Sequence, residues 1–207
     1  MVTPSHATRS TSAHTPSIRS LAVFCGSRVG NNPAYTEAGR ALGAGLAVAG
    51  IRLVYGGGRI GIMGVIADAV LQAGGTVLGV IPDFLKQWEV EHQGVQKMIV
   101  TDSMHERKTR LYEESDAFLT MPGGLGTFDE TFEIITWRQL RLHDKPILLC
   151  NVEGWADPLI AMLENAIGDG FAAASARALV EVLDDVPAVM ERLASLPRVQ
   201  NGSAARL

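Results

Sequence analysis

The segment Pro122-Gly123-Gly124-Leu125-Gly126-Thr127-Phe128-Asp129-Glu130 carries the most specific chemistry in the chain. An apolar run, Ala117 to Met121, enters a five-residue turn with three glycines, and Thr127 then opens a helical stretch with Glu130 three residues later. Thr-x-x-Glu is the spacing of a capping box, which predicts that Thr127 caps the helix and Glu130 answers it. A capping box does not ask for three glycines before it. Glycines there bare the amides at a helix N-terminus and make an anion site, where the Thr127 hydroxyl can also bind a phosphate oxygen. A carboxylate one turn further on is a poor phosphate ligand. It is suited to face a positive centre, such as the oxocarbenium carbon formed when a ribosyl–nitrogen bond breaks.

Three other segments follow apolar runs and have unusual composition. Cys25-Gly26-Ser27-Arg28 is one. Gly56-Gly57-Gly58-Arg59-Ile60-Gly61-Ile62-Met63-Gly64 contains G-x-G-x-x-G at Gly56, Gly58 and Gly61. That pattern permits a phosphate turn, or only tight helix–sheet packing. A dinucleotide site would also want an acidic residue at the end of the next strand, and Asp83 falls beyond it, after Pro82. Asp102-Ser103-Met104-His105-Glu106-Arg107-Lys108 puts two adjacent cations early in a helix, where they oppose the helix dipole and so do not serve helix stability. Arginine suits fork-like contact with a carboxylate, a phosphate or ligand oxygens; it does not readily give up its proton.

The elements that must position these segments alternate. Strands are predicted at Leu21 to Cys25, Arg52 to Tyr55, Thr76 to Ile81, Gln96 to Val100, Ala117 to Met121, Pro146 to Cys150 and Leu179 to Leu183. Helices are predicted at Pro33 to Ala49, Ile62 to Ala73, Ser103 to Glu114, Thr127 to about Arg141, Pro158 to Ile167 and Val186 to Leu196. Pro33 and Gly50 punctuate the first helix, and Ser103 with Glu106 has capping-box spacing. The strands are apolar along their length, as when both faces of a parallel sheet are covered. This is an α/β pattern: a doubly wound three-layer sandwich with a mostly parallel, Rossmann-like sheet, whose ligands bind at the carboxyl ends of the strands. Residues 20–196 are expected to form one domain, with a flexible arm at 1–19 and a flexible tail at 197–207.

Composition narrows the function class. The 207 residues suffice for a substantial core, 47% are hydrophobic, and the formal net charge is −4. With no long basic run, nucleic acid is not the expected partner. No apolar stretch reaches the ~20 residues of a membrane span. Cys25 and Cys150 lie in apolar runs and read as buried thiols, so a cytoplasmic location without disulfides is expected. His92 and His105 read as structural, and no ligand cluster has metal spacing.

Together these segments resemble the Lonely guy family, the cytokinin riboside 5′-monophosphate phosphoribohydrolases. P-G-G-x-G-T-x-x-E is complete from Pro122 to Glu130, G-G-G-x-x-G-x-M-G from Gly56 to Gly64, and M-H-x-R-K from Met104 to Lys108. The similarity runs from about Leu21 to Leu196. It implies hydrolysis of the N-glycosidic bond of a purine nucleoside 5′-monophosphate, cytokinin-type or adenine, to free base and ribose 5-phosphate, with no cofactor and no metal. It implies Arg107 and Glu130 as the catalytic pair, and Glu89, Lys108, Gly124, Leu125, Gly126, Thr127, Phe128, Asp129 and Thr136 as substrate contacts. Ser27, Gly57, Gly58, Gly61, Met63 and Gly64 are expected on the phosphate side. A homodimer with its active site near the interface is implied as well. Similar proteins are often labelled lysine decarboxylases, but no lysine here has the surroundings of a pyridoxal-phosphate site. Two other classes stay open: a nucleotide or cofactor carrier without turnover, like the molybdenum-cofactor carriers, and an NAD(P)-dependent oxidoreductase.

Overall fold

A computed structural model describes residues 18–86 and 88–197. The expected arm and tail therefore lie outside the described residues, apart from Ile18, Arg19 and Pro197. Ile18 is fully buried and the Arg19 amide donates to the Asp116 carboxylate at 2.9 Å, so these two belong to the fold rather than to an arm.

The strands are β1 (Ser20–Phe24), β2 (Arg52–Tyr55), β3 (Val77–Pro82), β4 (Lys97–Thr101), β5 (Ala117–Thr120), β6 (Ile147–Cys150) and β7 (Glu181–Leu183). They form one seven-stranded sheet in the order β4-β3-β2-β1-β5-β6-β7. Every pairing in it is parallel. The helices are α1 (Pro33–Ala49), α2 (Gly61–Gln72), α3 (Met104–Glu113), α4 (Leu125–Gln139), α5 (Asp157–Gly168) and α6 (Val186–Ser195).

Alternate residues of each central strand feed different cores. Leu21, Val23, Ala117 and Leu119 join Leu42 and Leu46 of α1, Ile66 and Val70 of α2, and Val189 and Leu193 of α6. Ala22, Phe24 and Phe118 join Leu111 and Tyr112 of α3 and Ile134 and Ile135 of α4. With helices on both faces, β1, β5 and β6 are buried at every position, which is why their sequences do not alternate. The edge strands β4 and β7 carry the exposed and polar positions, a safeguard against pairing with another sheet.

Helix ends follow local chemistry. Asn32 caps α1 by accepting from the Ala34 amide at 3.0 Å, and Gly50 closes it at φ 67°. Ser103 caps α3 by accepting from the Glu106 amide at 3.1 Å, while the Glu106 carboxylate accepts from Asp102 instead of from the cap itself. One strand boundary differs from expectation by more than a single residue. Leu179 ends a 3-10 turn (Ala174–Leu179), and β7 begins only at Glu181, since just Glu181–Leu183 finds partners on β6. Two further 3-10 turns, Asp83–Leu85 and Val152–Gly154, are too short to show a hydrophobic period.

Helices α1 and α2 meet at Gly43, where a Cβ would lie 2.6 Å from both the Ala69 Cβ and the Ile66 carbonyl oxygen. Gly39, one turn earlier, is crowded only by side-chain atoms at 3.3 Å and beyond. Gly43→Ala should therefore destabilise the fold by about 1–3 kcal/mol through overpacking. At Gly39 the gain in helix propensity, about 1 kcal/mol, offsets the crowding, so Gly39→Ala should stay within about 1 kcal/mol of the parent. Urea unfolding of the two variants checks the contrast.

Candidate active site

The chain runs outward from β1 to β4 on one side of the sheet and then crosses back to β5 on the other, so the strand order reverses between β1 and β5. The loops leaving these two strands meet there: the Gly26 amide donates to the Pro122 carbonyl at 3.0 Å. Open parallel sheets bind ligands at such a point. A cavity of about 120 Å³ lies in this crevice, lined by Cys25, Gly26, Ser27, Gly56, Met63, Glu89, Arg107, Glu130 and Gly124 to Thr127. A wider opening of about 540 Å³ shares Gly26, Ser27, Gly124 and Leu125 with it and extends to Tyr35, Ile62 and Trp155.

The start of α4 does not follow the capping-box expectation. Gly124 is the N-cap, the helix begins at Leu125, and no side chain caps it. Thr127 is thus already in the first turn, and Glu130 cannot be its capping partner. The first bond into the helix runs from the Phe128 amide to the Gly124 carbonyl at 3.0 Å, so the amides of Leu125, Gly126 and Thr127 precede it. The glycines divide by role. A Cβ on Gly123 would fall 2.1 Å from Thr127 Oγ1, so close packing forbids one. A Cβ on Gly124 or Gly126 would meet nothing within 4 Å. No neighbouring atom requires glycine at these two positions; their bareness leaves room beside uncapped amides.

The start of α2 is different. A Cβ on Gly61 would fall 2.2 Å from the Ser27 carbonyl carbon, and the Met63 amide donates to Gly26 at 3.3 Å. The chain itself fills this helix start, so the G-x-G-x-x-G segment serves packing here. Gly57, Gly58, Gly61 and Gly64 do not line the cavity, whereas Ser27 and Met63 do.

Arg107 comes from α3 and is 4% exposed. Its Nη2 donates to the Gly56 carbonyl at 3.3 Å and to Glu89 Oε2 at 3.4 Å, and lies 4.0 Å from Glu130 Oε1. A Cβ at Gly56 would fall 2.3 Å from that nitrogen, so glycine is what lets the guanidinium in. Its Nε is buried and has no partner. One cation thus faces two carboxylates. Burial raises the Glu130 carboxyl to about 7; Arg107 opposes that shift, and the negative charge of Glu89 adds to it. Burial also raises Glu89, again opposed by Arg107. Burial pushes the Cys25 thiol far up, which leaves it no nucleophile at neutral pH.

The remaining expected contacts point elsewhere. Lys108 pairs with Asp129 at 2.9 Å and Glu133 at 3.3 Å; it does not line this cavity but shares a smaller neighbouring pocket with Glu130 and Glu133. Burial pulls its ammonium down, but hydrogen bonds and charge from Asp129 and Glu133 outweigh this and hold it above the ordinary value. A lysine kept protonated in this way is in the wrong state to form a Schiff base, so it does not fit a pyridoxal-phosphate role. Phe128 stacks on Trp155 at 5.8 Å, and Thr136 Oγ1 donates to the Phe132 carbonyl at 2.7 Å. His92 is buried against Asp68, and His105 is exposed. Sequence reasoning did not single out Gly56 as the seat of Arg107, nor Tyr35 and Trp155 at the opening. Trp155 follows a 3-10 turn that carries no periodic signal.

A family model described as "Possible lysine decarboxylase" matches residues 63–193. A probable cytokinin riboside 5′-monophosphate phosphoribohydrolase of Oryza sativa subsp. japonica is 46% identical over 160 residues, 77% of this chain and 72% of that one. The cytokinin riboside 5′-monophosphate phosphoribohydrolase of Rhodococcoides fascians is 39% identical over 193 residues, 93% of this chain and 98% of that one. Among solved structures, the molybdenum cofactor binding protein of Rippkaea orientalis superposes with a TM-score of 0.65 at 21% identity, covering 88% of this chain and 97% of that one. That last likeness concerns the fold alone.

The raised carboxyl of Glu130 has a consequence for stability. From its ordinary value of 4.5 up to about 7, the folded chain holds a proton that the unfolded chain gives up. The contribution of this group to stability therefore falls as pH rises through that window. Glu130→Gln cannot titrate, so it should be more stable than the parent at pH 8, by on the order of 2–3 kcal/mol, and about equal to it at pH 4.5. Urea melts at the two pH values test this.

Proposed function

The chain belongs to the family of the cytokinin riboside 5′-monophosphate phosphoribohydrolases, and on that premise we propose that it hydrolyses the N-glycosidic bond of a purine nucleoside 5′-monophosphate, releasing free base and ribose 5-phosphate. The observation that carries this reading is the open, uncapped start of α4 set one helical turn from a buried carboxylate that shares Arg107 with a second. The amides of Leu125, Gly126 and Thr127 and the Thr127 hydroxyl take the 5′-phosphate. Glu130 in its ionised form then faces C1′, where it stabilises the positive charge that grows as the bond to the base breaks, or orients the attacking water. Arg107 positions Glu130 and meets the ribose hydroxyls. The departing base takes a proton from water, and water captures C1′. Adenine and N6-prenylated adenine differ by an apolar tail, so the choice between them rests on pocket shape and is modest. AMP therefore stands beside the cytokinin nucleotides as a substrate.

We also assign a homodimer and a cytoplasmic location. The dimer is supported by an apolar groove of about 510 Å³ between α4 and α5, lined by Phe128, Phe132, Trp155, Pro158, Leu159 and Met162, and by the exposed side chain of Leu125 beside it. Among the described residues no helix is long and apolar enough to cross a membrane.

Ribose 5-phosphate release from AMP, its N6-isopentenyl analogue, GMP and CMP, each compared with its nucleoside, tests the reaction. Monophosphates should be cleaved much faster than nucleosides; equal kcat/KM for the two would remove the phosphate site, and tight binding without release would mark a carrier. In the same assay Glu130→Gln should lose about a hundredfold in kcat, or about 3 kcal/mol, while still binding nucleotide. The parent's kcat/KM should rise with pH through about 7, as the Glu130 carboxyl of the free protein ionises. Sedimentation velocity at micromolar concentration should show a dimer, and a lone monomer would refute that assignment.

A further inference from the structure

Glu89 reaches the cavity from the connection between β3 and β4, outside any helix or strand. Its position needs explaining, because burial disfavours a carboxylate there. Its hydrogen bond to Arg107, at 3.4 Å, is long. The backbone around it is fastened to its own preceding turn, where the Glu89 amide donates to the Leu85 carbonyl at 2.9 Å and the Glu91 amide to Lys86 at 3.1 Å, and to a glycine-rich loop. The Arg59 amide donates to the carbonyls of Glu89 and Val90 at 3.2 and 2.8 Å, the His92 amide donates to Gly57 at 3.0 Å, and Gly58 bridges to Glu91. Val90 lies at φ 50°, a conformation that β-branched residues rarely adopt. These backbone bonds join the segment to other turns and loops, and none of them reaches an α-helix.

The tie from this segment to helix α2 is His92. Its side chain is 5% exposed, and Nδ1 accepts from the Gly94 amide at 3.1 Å. Nδ1 therefore carries the lone pair and Nε2 the proton, which it donates to Asp68 Oδ1 of α2 at 3.0 Å. The same helix places Met63 in the cavity lining and is anchored to Gly26 by the Met63 amide.

We propose that His92 and Asp68 form a clasp that ties the Glu89 segment to α2 and so holds Glu89 beside Arg107, which makes them positioning residues for the reaction. The proposal rests on the hydrolase reading for its kinetic consequence but not for its structural one. The ring acts by a fixed orientation: the Gly94 amide sets it at Nδ1, and Asp68 receives the pull at Nε2. The carboxylate of Asp68 is half-exposed and away from the lining, so its effect on turnover passes through Glu89.

The test uses His92→Gln, whose side-chain amide stands where Nε2 does and keeps the bond to Asp68. It is compared with His92→Asn, which matches only the Nδ1 side, and with Asp68→Ala. Each is made alone and in a Glu89→Gln background. His92→Asn and Asp68→Ala should lower kcat about tenfold with KM little changed, as expected when a reacting geometry loosens. His92→Gln should stay within about threefold of the parent. In the Glu89→Gln background all three should cost less than about twofold, because a residue that acts through Glu89 has nothing left to position. Hydrogen exchange at the Arg59 and His92 amides should speed up about tenfold in His92→Asn and Asp68→Ala and not in His92→Gln. Equal losses in both backgrounds, or unchanged exchange in His92→Asn, would overturn the clasp. If the parent releases no ribose 5-phosphate, the hydrolase reading fails, and the exchange rates alone decide the clasp.

Discussion

A guanidinium withdrawn from water has five donors to satisfy and a charge to balance, and the crevice between β1 and β5 is arranged around that demand. Arg107 is 4% exposed. Its oxygen partners come from separate parts of the chain: the Gly56 carbonyl after β2, Glu89 between β3 and β4, and Glu130 on α4. None of these groups is near another in sequence. They converge because a doubly wound sheet delivers its strand ends to one edge, and because glycine at position 56 clears a path for the side chain. All three converge on one nitrogen, Nη2, so three separate parts of the chain meet at a single buried charge.

The fold was legible because its signals are periodic and repeated. Apolar runs bounded by glycine and proline gave each strand to within two residues, and α1 was bounded by Pro33 and Gly50 as read. The chemistry was legible where glycines outnumber what a turn needs. Less accessible were features set by distance in space. Spacing alone could not distinguish Thr127 as a cap from Thr127 as a first-turn residue, because the choice depends on how Gly123 packs against Gly26. The pairing of Lys108 with Asp129 and Glu133 joins two helices, and nothing along either one announces it.

The two glycine-rich loops illustrate how alike two sequences can be while their physical roles diverge. Both follow a parallel strand and open a helix. At α2 the backbone of Ser27 and the carbonyl of Gly26 occupy the helix start, so its positive end is spent inside the protein. At α4 the corresponding amides face a cavity. A glycine count treats these loops as equivalent; the neighbour that fills one of them separates a packing joint from an open helix start.

The balance of one guanidinium against two carboxylates also gives the cavity walls an excess of negative charge whenever both acids are ionised. A phosphate-bearing guest adds more. Its arrival makes ionisation of Glu130 costlier still, so complex formation near neutrality draws a proton from the buffer. On the proposed mechanism, affinity then weakens with alkalinity while the ionised form of Glu130 becomes more abundant. Capture and conversion pull in opposite directions along the pH axis, and the cell's own acidity sets where they meet.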